Sequence, residues 1–210
     1  MIVFLEIGLR LFLPQKIYNE CYEPSPDNSS TWEVELNQYI GWVTRANYSS
    51  CRYQPDTNGK VFKTYNSKGI RLDKEVSYEK GDRKRIILLG DSFVDGFGLN
   101  DSETIAVRMQ ENLEDYEIIP LAANGYGTGQ EALLFKEGLG YEPEGLRYNP
   151  DIVILFFYQN DFFNNMEIMH SFGDQPIFQT ANGTIIIYNY PTSTTWKEGY
   201  GPKIIPLSEA

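Results

Sequence analysis

Histidine and cysteine are scarce in this chain: one histidine, His170, and two cysteines, Cys21 and Cys51, among 210 residues. With no CxxC pair and no Cys/His cluster, a zinc site of the usual tetrahedral kind is not expected. Two cysteines are too few to reveal a disulfide framework. In an exported chain Cys21 and Cys51 would pair; two free thiols are the other reading. Positive charge is also short, with 18 Lys and Arg against 29 Asp and Glu and a formal net charge of −11. No basic stripe is present, which argues against a nucleic-acid partner. Such acidity suits a soluble, exposed protein and says little about its fold. Internal repeats and low-complexity tracts are absent too.

The opening stretch, MIVFLEIGLRLFLP, is apolar apart from Glu6 and Arg10. As a helix, about 13 residues reach roughly 20 Å, short of the roughly 30 Å hydrocarbon core of a bilayer. Ile2, Leu5, Leu9 and Phe12 would share one face, with Glu6 and Arg10 as an i,i+4 pair on the other. The segment neither begins with positive charge nor ends at small residues, so it does not read as a signal peptide. Two readings stay open for residues 1–14: an amphipathic helix docked on the domain, or the last turns of a membrane anchor.

The chain has enough apolar material, 41% of residues with 14% aromatic, for one well-filled domain plus extra segments. Residues 15–80 are polar, tyrosine-rich and broken by Pro24, Pro26 and Pro55. They read as loops and short strands that cover something else. From residue 81 onward the pattern becomes that of an α/β domain. Ile86-Ile87-Leu88-Leu89 predicts a strand buried on both faces. Asp101 or Ser102 can cap a helix in which Ile105, Met109 and Leu113 share a face. Ile118-Ile119 gives a second strand. Thr128-Gly-Gln-Glu131 then has capping-box spacing ahead of another helix, with Gly138 and Gly140 as stops. Ile152 to Phe157 predicts a third buried strand. Strand, helix, strand, helix, strand in about 75 residues implies right-handed βαβ units and a parallel sheet. Farther on, Asn182-Gly183 sits between β-rich arms as a two-residue hairpin turn.

Each of the three parallel strands is followed by groups capable of chemistry: Asp91-Ser92, Asn124-Gly125 and Asn160-Asp161. Ligands of doubly wound sheets bind outside the carboxyl ends of the strands. With strand order 2-1-3, Ser92 would lie centrally, Gly125 to one side and Asn160 to the other. A serine oxygen with backbone N–H groups and a side-chain amide makes an acyl-transfer site. Each part also has a plainer reading. Gly-Asp-Ser is a common turn tripeptide, Gly125 can simply permit positive φ, and Asn160-Asp161 can form an Asx turn. Phosphate binding at GDSFVDGFG is disfavoured, because the loop has no lysine and carries Asp91 and Asp95. An EF-hand is excluded by the absence of its closing glutamate.

Gly90-Asp91-Ser92 after a strand, Asn124-Gly125 within NGYGTGQ, and Tyr158-Gln159-Asn160-Asp161 resemble, in order, the first three blocks of the SGNH or GDSL-type hydrolases. The likeness extends over roughly residues 60–190, including YNSKGIR before the first strand. The resemblance implies a flavodoxin-like three-layer α/β/α sandwich. It also implies a catalytic set in which Ser92 is the nucleophile, and the Ser92 and Gly125 backbone N–H groups with the Asn160 side chain hold the oxyanion. No metal or organic cofactor is implied. The substrate would be an acyl ester of a carbohydrate, a lipid or a small molecule, and relatives with such a leader often carry an N-terminal membrane anchor. On this reading the protein is membrane-anchored or exported, and cytoplasmic otherwise.

Two departures stand out. Tyr158 replaces the glycine of the third block. The fourth block, Asp-x-x-His, which carries the general base, has no counterpart at the expected place. Glu167-x-x-His170 mimics its spacing but falls ten residues after Asn160, ahead of the hairpin. A serine hydroxyl stays weakly nucleophilic until a base takes its proton. The expectation is therefore the front part of an SGNH-type domain, nearly inactive by itself. The alternative is a non-catalytic, membrane-anchored α/β module that binds an acylated glycan or lipid.

Overall fold

The computed structural model describes residues 33–54, 59–136, 144–166, 169–170, 173–182, 184–188 and 203–206. The apolar leader 1–14, Cys21, Gly138, Gly140 and Gly183 lie outside the described residues. Two antiparallel hairpins come first. Strand β1 (Val34–Asn37) pairs with β2 (Gly41–Thr44), and β3 (Tyr48–Gln54) with β4 (Gly59–Tyr65). The Asn37 side chain shapes the first turn by accepting the Tyr39 and Ile40 N–H groups at 2.8 and 3.2 Å. Cys51, on β3 opposite Phe62, is disulfide-bonded.

The centre is a parallel sheet of three strands, β5 (Lys84–Gly90), β6 (Tyr116–Ala122) and β7 (Ile152–Leu155), in the order β6-β5-β7. This is the order 2-1-3 under which the three strand-end groups would converge. Alternate residues of β5 serve two different cores. Ile87 and Leu89 join Ile119, Leu121 and Trp42 in one cluster, while Ile86 and Leu88 join Ile118, Val94 and Ala106 in another. Burying each such side chain is worth about 1.5–3 kcal/mol, which is why this run tolerates no polar residue until Gly90.

Helices α1 (Ser92–Asp95) and α2 (Ile105–Asn112) serve the second cluster, through Val94, Ala106, Ile105 and Met109. Helix α3 (Thr128–Lys136) serves the first, through Leu133 and Leu134. A short α4 (Glu144–Arg147) precedes β7, and α5 (Asn160–Asn164) follows it. The chain continues as two-residue strands β8 (Met169–His170) and β9 (Gly173–Asp174). Strands β10 (Ile177–Ala181), β11 (Thr184–Tyr188) and β12 (Lys203–Pro206) then form an antiparallel sheet. Ala181 opposes Thr184, and Asn182 takes a positive φ of 52°, as the two-residue hairpin requires.

Three expectations need correction. Helix α2 starts at Ile105, because Asp101–Glu103 coils more tightly as a 3-10 turn, boxed by Asn100 and Glu103. Glu131 does not cap α3. It is buried with neither carboxyl oxygen hydrogen-bonded, and Gln130 instead accepts the Gly127 N–H at 3.2 Å. The third apolar run is not a buried strand, for Ile152, Val153 and Leu155 are 41%, 42% and 47% exposed. Only β5 flanks it among the described residues.

The described part of the polar segment 15–80 contributes to the core. Val34, Ile40, Trp42, Ile70 and Val76 pack in the same cluster as β5 and β6.

Candidate active site

Register sets the convergence. Gly90 at the end of β5 pairs with Ala122 of β6, and the Phe156 N–H just after β7 donates to the Leu89 carbonyl at 2.9 Å. The turns carrying Ser92, Gly125 and Asn160 therefore leave the same end of the sheet. Gly90 has no room for a side chain, since a Cβ there would run into Val94. The chain can consequently bend straight from strand into α1.

The acidic residue at the end of the greasy strand has two partners. Asp91 is buried, and its Oδ1 accepts the Phe93 N–H at 2.9 Å, capping α1. Its Oδ2 accepts from Asn160 Nδ2 at 2.8 Å. That bond joins the Asp91-Ser92 turn to the Asn160 turn, one residue from Ser92. An amide nitrogen has two N–H groups, so Asn160 keeps one to offer elsewhere. Turning the amide over would set its oxygen against the Asp91 carboxylate, which fixes the orientation. Ser92, Gly125 and Asn160 are all partly exposed, so a ligand can reach them. Gly125 takes φ +80°, a left-handed conformation that disfavours any other residue.

The N-terminal hairpin holds the Gly125 turn. Trp42 Nε1 donates to the Asn124 carbonyl at 3.0 Å, and the Tyr126 hydroxyl donates to the Trp42 carbonyl at 2.6 Å. Asn124 Nδ2 donates to Glu33 Oε1 at 2.6 Å. From the other side, Asn164 Nδ2 of α5 donates to the Tyr126 carbonyl at 3.0 Å.

Carboxyl groups crowd beneath these turns. Asp161 Oδ2 accepts from the Tyr158 N–H at 3.1 Å and the Thr128 hydroxyl at 3.2 Å. Neither bond makes an Asx turn, in which the side chain accepts an N–H two residues further along the chain. Burial holds the Asp161 carboxyl above its ordinary range, with Asp91 adding to the rise and the two hydrogen bonds opposing it. Burial, then Asp161, then Asp91 push Glu131 up to about 8, so it keeps its proton at neutral pH. At the mouth, the rings of Phe93 and Tyr158 lie 4.4 Å apart and are 59% and 51% exposed.

His170 pairs its backbone with Gly173 in the β8–β9 hairpin, and its side chain lies outside the described residues, as does Glu167. Among the described residues, no group of three or more His, Cys, Asp or Glu is placed to hold a metal ion. Likewise no described helix is long and apolar enough to cross a membrane. Comparison with protein-family models, with curated proteins and with solved structures returns no match.

Glu33 and Lys63 escaped the sequence reading, and Glu131 was read there as a helix cap and not as a buried acid. The partners of Glu33 and Lys63 lie 30 or more residues away, and no spacing rule covers that range. Glu131 left one trace, an acid set among apolar residues in QEALLF.

Proposed function

We propose that this chain carries the nucleophile and oxyanion-binding part of an SGNH-type serine esterase or acyltransferase, on a flavodoxin-like three-layer α/β/α sandwich. The observation that carries the reading is the Asn160–Asp91 hydrogen bond. It sets the third block beside the nucleophile turn, in a sheet whose strand order makes the three blocks converge. Ser92 Oγ attacks the acyl carbonyl, and a base takes its proton. The carbonyl oxygen becomes an oxyanion, held by the Ser92 and Gly125 N–H groups and the free N–H of Asn160. Collapse expels the alcohol and leaves an acyl-serine. Water or a second alcohol then releases the acyl group. The substrate is an acyl ester of a glycan, a lipid or a small alcohol, and no cofactor takes part.

The base is the open role, so the test supplies one. Incubated with a fluorophosphonate, with and without imidazole as an external base, the chain forms an adduct at Ser92, read by peptide mass spectrometry. Imidazole speeds its formation, and Ser92→Ala abolishes it. Turnover of p-nitrophenyl acetate without imidazole stays near background. Brisk turnover that Ser92→Ala removes would promote His170 to the base. A Ser92 that never reacts supports the second reading, a membrane-associated module that binds the acyl ester without cutting it. The exposed Phe93–Tyr158 pair favours that reading, since it can hold a ligand by stacking alone.

A further inference from the structure

Behind α1 lies a buried ionic cluster that the acyl-transfer steps do not use. Lys63, on β4, donates to Asp95 Oδ2 at 3.1 Å and to Glu33 Oε1 at 3.2 Å, and all three residues are buried. The Tyr65 hydroxyl donates to Asp95 Oδ1 at 2.9 Å. Arg71 binds the backbone that follows, donating to the Asp95 and Gly96 carbonyls at 2.5 and 2.6 Å and to Asp101 Oδ1 at 3.0 Å. Asp95 closes the helix that Ser92 opens. Glu33 is the acceptor for Asn124, whose neighbour is Gly125. One ammonium thus joins two chains of contacts: through Asp95 to Ser92, and through Glu33 and Asn124 to Gly125. Its remaining face looks onto the Phe97 ring, 5.5 Å from the centroid.

We propose that Lys63 is a positioning residue, which sets the Ser92 turn against the Gly125 turn through its two carboxylate partners. The two backbone donors of the oxyanion site belong to separate strand–helix turns, and a buried ammonium hydrogen-bonded to both supports tolerates little drift between them. The consequence for catalysis rests on the acyl-transfer reading; the coupling of the turns does not. The N-terminal hairpins are then part of the site and not a covering.

Residue-resolved amide exchange on the whole chain tests this. Lys63→Met is expected to speed exchange about tenfold or more in both turns, at Asp95 and Gly96 and at Tyr126 and Gly127, and to leave the Ile87 and Ile119 amides of the sheet less affected. Asp95→Asn should loosen the first turn alone, Glu33→Gln the second alone, and Lys63→Arg should restore protection at both. If Lys63→Met raises exchange evenly across sheet and turns, or in one turn only, the proposal is overturned. Should Lys63→Met fail to fold, the one-sided patterns of Asp95→Asn and Glu33→Gln decide the matter, and loosening of both turns by either variant overturns it. Fluorophosphonate labelling runs alongside. A split exchange pattern with Ser92 inert in every variant upholds the positioning role and removes the esterase reading. Slower labelling in Lys63→Met, rescued in Lys63→Arg, supports both.

Discussion

Strands β6 and β7 flank the same central strand and finish the sheet in opposite ways. On the β6 side, Pro120 is buried and has no N–H to offer a neighbour, and the segment from Val34 to Val76 packs over the strand. Pro at a sheet edge is one of the usual guards against stray pairing. The fit is loose in one place, where a cleft of about 370 Å³ is lined by Thr44, Gly69, Ile70, Pro120, Leu121 and Tyr126. On the β7 side nothing equivalent is found among the described residues. Leu155, Phe157, Phe162 and Phe163 are exposed, and the strand offers an apolar edge. The more apolar of the two strands has therefore ended as the less buried. A strand's apolar content does not say whether anything covers it.

Substitutions on the two sides sharpen the contrast. The largest effect belongs to the covered side. Trp42→Ala removes a fully buried ring and the indole bond to the Asn124 carbonyl. It should cost about 3–5 kcal/mol in urea unfolding. A loss below about 1 kcal/mol would mean that the hairpin layer is dispensable to the fold.

The next concerns the acid under the junction of both sides. Glu131 ionises near 4.5 ordinarily and near 8 when folded. A raised acid favours the folded state fully below the lower value. That advantage drains at about 1.4 kcal/mol per pH unit as pH climbs to the upper value, because the native chain then holds a proton that the unfolded chain has lost. Glu131→Gln should flatten the pH dependence of unfolding between about 4.5 and 8. Parallel slopes for the two proteins would place the pH dependence elsewhere.

The smallest effect falls on the bare edge. Val153→Lys should change unfolding free energy by about 0.5 kcal/mol or less, since the side chain already meets solvent. A loss of about 2 kcal/mol would show that the β7 edge is covered in solution. Sedimentation of the same variant reports whether the cover is a second copy.

The same contrast explains what was legible in the sequence. The run Ile86–Leu89 could be read because it is buried on both faces. The strand order could not be read: 2-1-3 entered only as the condition under which the three strand-end groups converge, and the structure meets it. Glu131, which has the spacing of a capping residue, could not be assigned: its place was set by burial against α3's neighbours, and a local rule mistook it. Lys63 lay deeper still from view. Its two acidic partners are 30 and 32 residues away in opposite directions, and a lysine in GKVFKTY looks like any exposed strand residue until the fold closes over it.

The arrangement β6-β5-β7 also governs the order in which a growing chain can assemble. Hairpins β1–β2 and β3–β4 pair with near neighbours in sequence and can close as soon as they leave the ribosome. Strand β5 cannot. Its first partner begins at Tyr116 and its second at Ile152, so the strand that presents Ser92 emerges as an unpaired apolar run and waits. The hairpin residues Val34, Ile40 and Trp42, which precede β5 in the chain, end in the same buried cluster as its Ile87 and Leu89.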